Sequence, residues 1–173
     1  LIGSPLAQII SVLLKTNDQA IIDRGSELFK KYYNKEGIYQ NIVYPGIGKM
    51  LATFKKQSYR LFVVSNKIES FMKKILKQHN LEKYFTFIRG TNGADKQSKK
   101  TEHVKHLIKQ YKLKKEETAV VGDTENDVIV AKTNSIYSIG IIWGYGLESD
   151  LIKAGADAVC LNPLDLLKFF GKI

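Results

Sequence analysis

Two aspartates four residues apart, Asp123 and Asp127, follow the apolar run Ala119-Val120-Val121 in the stretch TAVVGDTENDV. Apolar side chains at consecutive positions predict a strand buried on both faces. Gly122 then lets the chain turn, so the acids fall at the strand's carboxyl end, where open parallel sheets bind ligands. A helix beginning near Thr124 would put Asp127 on its first turn and bring it toward Asp123. Crowded carboxylates repel unless a cation or a proton is shared between them. A hard divalent ion with oxygen ligands, most simply magnesium, resolves the repulsion. An acidic turn with an ordinary helix cap is the plainer alternative.

Two more polar clusters sit where a ligand could join this pair. Ser65-Asn66-Lys67 follows the apolar run LFVV, and a hydroxyl with backbone amides at a helix start can seat a phosphate oxygen. Read plainly, it is a Ser/Asn cap. Lys99-Lys100 precedes a helical pattern, and one ammonium there could neutralise a bound phosphate. All three clusters lie at strand ends or just before helices, and crossover topology gathers such ends. Other reactive types carry less. Cys160, in ADAVCL, reads as a buried structural thiol. His103 and His106 lie off the apolar face of their helix and read as solvated or packing residues. His79 reads as a C-terminal helix cap. Trp143, Tyr145 and their glycines form a loop at a strand end with no catalytic role assigned.

The elements that must position these residues follow from periodicity. Ser4-Pro5 reads as a cap and first-turn proline, followed by the stripe Leu6, Ile9, Ile10 and Leu13. A second helix from Asn17 or Asp18 is expected to bury Ile21, Leu28, Phe29 and Tyr32. From Tyr44-Pro45-Gly46 onward, strand-like and helix-like segments alternate, which predicts a parallel α/β sheet. Strands are expected at 61–64, 85–88, 119–121 and 139–143, with a short edge strand at 157–161. Helices are expected around 47–54, 68–79, 101–111, 125–133 and 163–170. Residues 40–46 read as a hinge between the helical part and the sheet part.

Composition narrows the partners. The 173 residues are 44% hydrophobic, enough for a packed core, and no apolar run approaches a bilayer-spanning length. A single cysteine excludes an internal disulfide and suits a reducing cytoplasm. The net charge of +10 comes from lysine pairs spread over separate helices, without a basic tail or an aromatic-interleaved stripe. Neither nucleic acid nor membrane is therefore expected as a partner. A positive field that draws in a small anionic substrate is the economical reading. The chain is expected to act as a monomer or homodimer.

The motifs SNK after a strand, a lysine ahead of a helix, and VVGDTENDV resemble three motifs of the haloacid dehalogenase-like phosphohydrolases. The trailing IGIIWGYG and ADAV resemble the phosphoglycolate-phosphatase-like branch. The resemblance implies a Rossmann-like parallel α/β core over residues 41–173, with residues 1–40 the later part of a small helical cap. It implies that Ser65, Asn66 and Lys100 bind the transferring phosphoryl group, with Lys99 the alternative lysine. It implies that Asp123 ligates magnesium and that Asp127 binds it through water or holds its shell. The implied reaction is magnesium-dependent hydrolysis of a small phosphomonoester, phosphoglycolate-like, through an aspartyl-phosphate intermediate.

Two departures stand out. Ala131 is followed by Lys132-Thr133-Asn134-Ser135 where the family has a small-residue stretch ending in Ala-Gly. More seriously, the family's nucleophile lies in an Asp-x-Asp-Gly-Thr turn on a central first strand, and no Asp-x-Asp occurs in these residues. Without that strand, two buried edges would be left unpaired, at about 1–3 kcal/mol for each unsatisfied backbone group. A segment ahead of Leu1 is therefore expected to supply the strand and its acids. The alternative is a noncatalytic binding or regulatory protein lacking the nucleophile. A phosphonate hydrolase would want a Schiff-base lysine in the cap, for which Lys15 is the one early candidate.

Overall fold

The computed structural model describes residues 3–92 and 99–170. In chain order its elements are α1 (Leu6–Leu14), α2 (Gln19–Lys35), α3 (Ile47–Lys56), β1 (Phe62–Ile68), α4 (Glu69–Gln78) and β2 (Phe87–Thr91). They continue with α5 (Lys100–Gln110), β3 (Ala119–Gly122), α6 (Glu125–Asn134), β4 (Tyr137–Ile141), α7 (Glu148–Lys153), β5 (Ala158–Cys160) and α8 (Leu166–Phe169). The expected α/β architecture, with parallel strands joined by helices, is present. The chain divides into two compact units, residues 1–43 with 60–99, and residues 44–59 with 100–173.

In the first unit, Pro5 sits one place earlier than expected, as the N-cap of α1, where its carbonyl accepts from the Ile9 N–H at 3.1 Å. Asp18 caps α2 through its carboxylate, taking the N–H of Ala20 at 2.8 Å and of Ile21 at 3.3 Å. The two helices meet where Gly25 faces Ile10, since a Cβ at Gly25 would lie 2.8 Å from the Ile10 Cγ2. That contact sets the rotation of α2 and overturns one expectation. Ile22 and Ser26 are buried, whereas Ile21, Leu28, Phe29 and Tyr32 are exposed among the described residues. Leu13 of α1 is likewise exposed.

Strands β1 and β2 run parallel with Phe62 opposite Phe87, Val63 opposite Ile88 and Val64 opposite Arg89. The register slips between Val64 and Ile68, so Ser65-Asn66-Lys67 lies in the irregular part of the strand. Irregularity of this kind re-aims side chains at the end of a pairing.

The second unit holds a parallel sheet in the order β3-β4-β5. Its middle strand β4 buries Ser138, Ile139 and Gly140, while α6 buries Val128, Val130 and Ala131. Helix α7, too short for its periodicity to show in the sequence, buries Leu151 completely, with Gly140 in close approach to the Leu151 side chain. Phe54, Tyr59 and Phe170 meet edge-to-face with centroids 5.3–5.8 Å apart, and the Tyr59 hydroxyl donates to the Phe170 carbonyl.

The expectation that β3 is buried on both faces is corrected. Val121 is 38% exposed and its neighbours Ala119 and Val120 are half-buried. The reason is position: among the described residues β3 pairs with β4 alone and ends its sheet, as β1 ends the two-stranded sheet of the other unit.

Candidate functional site

The acidic turn is built by three elements of the second unit. Strand β3 delivers Gly122 and Asp123, and α6 begins two residues later. Asp127, on the first turn of α6, folds back so that its Oδ2 accepts the Thr124 N–H at 3.2 Å and the Thr124 hydroxyl at 2.8 Å. This is a capping arrangement, and it satisfies groups a helix start would otherwise leave without partners. The other oxygen, Oδ1, accepts from the Lys100 ammonium at 2.7 Å, and the two side chains are only 13% and 11% exposed. Lys100 is the first residue of α5, so a second helix start supplies the charge that balances the first. Lys99, by contrast, is exposed.

The cation beside Asp127 is thus the chain's own ammonium. Gly122 matters for space rather than for an unusual backbone angle, because a Cβ there would collide with the Asp127 carboxylate. Asp123 faces a different partner. Its Oδ2 accepts the Tyr145 N–H at 2.8 Å from the loop after β4. Parallel pairing explains the meeting, since Gly122 is opposite Gly140 and the segment following each strand leaves the same end of the sheet. The Tyr145 amide carries no sequence signal, since any residue but proline has one. The glycines flanking it were the visible clue.

Ser65 and Asn66 belong to the first unit, at the carboxyl end of β1. The Ser65 Oγ accepts the Lys67 N–H at 3.1 Å, which leaves the hydroxyl proton to donate elsewhere. Asn66 is buried, with its Nδ2 donating to the Gly3 carbonyl at 2.7 Å and its main-chain carbonyl accepting from the Thr91 hydroxyl at 3.2 Å. Its side chain braces the turn. The Lys67 ammonium donates to the Tyr33 hydroxyl at 3.0 Å and lies 4.8 Å from that ring's centroid, against an aromatic stack of Phe29, Tyr33 and Phe71.

Magnesium is served by one or two protein carboxylates together with waters and substrate oxygens. The donor chemistry of the turn fits: Asp123 offers a carboxylate with one oxygen fixed by an amide, and Asp127 supports the turn while holding Lys100. Among the described residues no three His, Cys, Asp or Glu side chains cluster as a fuller metal site. Cys160 is buried with its Sγ toward the Asn162 carbonyl, and burial pushes the thiol up, which suits a structural role. His79 sits at the C-cap of α4, and its ring meets the Asn41 side chain at 2.6 Å. No described helix is long and apolar enough to cross a membrane.

The chain has relatives among known proteins. The chain is 26% identical to a phosphoglycolate phosphatase of Vibrio parahaemolyticus over 97% of its own length and 73% of that protein's. It superposes on the crystal structure of a predicted phosphatase from Clostridium acetobutylicum with a TM-score of 0.87 at 28% identity, covering 97% of this chain and 77% of that one. It is also 26% identical to the tyrosine-protein kinase PtkA of Mycobacterium tuberculosis, over 92% of this chain and 54% of that protein. The model of the family described as haloacid dehalogenase-like hydrolase matches residues 1–141. With the fold, the order of the three motifs and this match in agreement, the chain belongs to the haloacid dehalogenase-like hydrolases, and its motifs resemble those of the phosphoglycolate-phosphatase-like branch.

Proposed function

We propose that the protein is a magnesium-dependent phosphatase of small anionic phosphomonoesters, with phosphoglycolate-like compounds as the leading substrate class. The observation that carries this reading is the enclosed Lys100–Asp127 pair at the same strand end as the pinned Asp123 carboxylate. Asp127 holds the Lys100 ammonium in place at 2.7 Å, so a fixed positive charge stands at this strand end to neutralise a phosphoryl oxygen. Ser65 contributes a hydroxyl donor, and Asn66 braces the turn from which it projects. In this division of labour residues 1–40 act as part of a selective cap and residues 41–173 carry the catalytic core.

Asp123 would hold magnesium, with Asp127 supporting the shell. When bound, the ion supplies charge stabilisation at the phosphoryl oxygens. Hydrolysis also requires a carboxylate nucleophile, which these 173 residues do not present as an Asp-x-Asp pair. That feature favours the second reading, a protein that binds phosphate without cleaving the ester. We further assign it to the cytoplasm, as a monomer or homodimer, on the strength of its one cysteine and ordinary core.

The test is phosphate release from a panel of phosphomonoesters by the full-length protein, with magnesium and with chelator. Turnover that needs the ion and favours small carboxylated phosphates supports the phosphatase. Phosphate binding without turnover supports the second reading.

A further inference from the structure

The loop after β4 is wrapped around Asp123 from two sides, in a way the reaction so far described does not use. Tyr145 donates its N–H to the Asp123 Oδ2 at 2.8 Å, a charge-assisted bond that fixes one oxygen of the carboxylate. Gly144, beside it, is so close that a Cβ would fall on the Asp123 Oδ2 and Cβ and lie 2.6 Å from its Cγ. Gly146 is closer still, and a Cβ there would collide with the Asp123 carbonyl oxygen. The ring of Tyr145 is exposed, so this contact is made by backbone and by missing side chains.

We propose that Gly144 is a positioning residue for the divalent-cation site: it lets the loop close on Asp123, so that the Tyr145 amide occupies Oδ2 and leaves Oδ1 for the ion. This rests on the reading in which Asp123 ligates magnesium. The two glycines do different things because they face different atoms. The methyl group added by Gly144→Ala would press on the Asp123 carboxylate and also on its Cβ, which no rotation of the side chain moves, so the loop must draw back and take the Tyr145 amide off Oδ2. The methyl group added by Gly146→Ala would fall on the Asp123 carbonyl oxygen itself, so it displaces the backbone of the β3–α6 turn directly. Supports of this kind around a metal ligand hold its orientation, and losing one weakens the metal about 10–100-fold.

Titration of the full-length protein with magnesium tests the assignment, read by calorimetry and by the fluorescence of Trp143, the single tryptophan, which adjoins Gly144. Gly144→Ala should weaken magnesium about tenfold or more. Its melting temperature should fall by less than that of Gly146→Ala. Its affinity for inorganic phosphate without magnesium should not change. Gly146→Ala should lower the melting temperature clearly. Unchanged magnesium affinity in Gly144→Ala overturns the proposal. So does a variant that loses magnesium, phosphate and thermal stability together, since that is a structural role. Asp123→Asn, run alongside, separates the two levels. If that variant keeps parental magnesium affinity, the metal reading of Asp123 fails, whatever Gly144 does.

Discussion

Asp127 shows how one side chain can carry a structural and a chemical task at once. It caps α6 through Thr124 and fixes the Lys100 ammonium, with both charges largely withdrawn from water. Breaking such a pair from one side leaves the other charge buried and alone, which costs about 3–5 kcal/mol when burial is complete. Lys100→Met should therefore destabilise the protein by about 3 kcal/mol in urea unfolding. Thr124→Ala removes only the hydroxyl part of the cap and should cost about 1 kcal/mol. Equal effects from the two variants would mean that the ion pair contributes little. Spacing alone pointed to Asp123 and Asp127 but could not say which groups surround them. Lys100 lies 27 residues away in sequence from Asp127, and the Tyr145 amide is invisible in side-chain chemistry.

At the level of elements, Asp157 ties the second sheet together. Its carboxylate accepts from the Lys132 ammonium of α6 at 2.5 Å and from the Ser138 hydroxyl and N–H of β4 at 2.6 and 2.8 Å. The Lys132 bond first, and then the two Ser138 bonds, hold the carboxyl at about 2 rather than the usual 3.8. A depressed acid stabilises the fold above its unfolded value, and that contribution is lost as pH falls through the folded one. The stability difference between the parent and Asp157→Asn should be steady above about pH 5 and shrink between about pH 4 and 2. A difference independent of pH over that range would show that the ion pair does not form in solution.

The same elements show what patterning reveals and what it hides. The alternation of apolar runs with helix-like segments located α3 to α6 and the five strands of the described residues. It misplaced the buried side of α2, where contact with α1 through Gly25 and Ile10 favours the row of Ile22 and Ser26 over the more hydrophobic one. It also made β3 a fully covered strand, since an apolar run reads the same whether its strand has one neighbour or two. Helix α7 escaped notice because six residues give too little periodicity to see.

For the molecule as a whole, the net charge of +10 is carried by lysines on separate helices, and it forms a field that attracts small anions. Such attraction is screened over about 8 Å at physiological ionic strength. The affinity for inorganic phosphate should therefore fall several-fold between about 0.01 and 0.15 M salt. An affinity insensitive to salt would place the recognition wholly in local contacts. The central claim is narrower: the turn after β3 is the seat of a magnesium-dependent phosphohydrolase, with Asp123 as its metal ligand. It is tested most directly by assaying hydrolysis of a generic phosphomonoester by full-length protein and by Asp123→Asn over a range of magnesium concentrations. The account predicts that the variant loses at least about tenfold of the magnesium-dependent rate while keeping its fold. Equal rates for the two proteins at every magnesium concentration would contradict it.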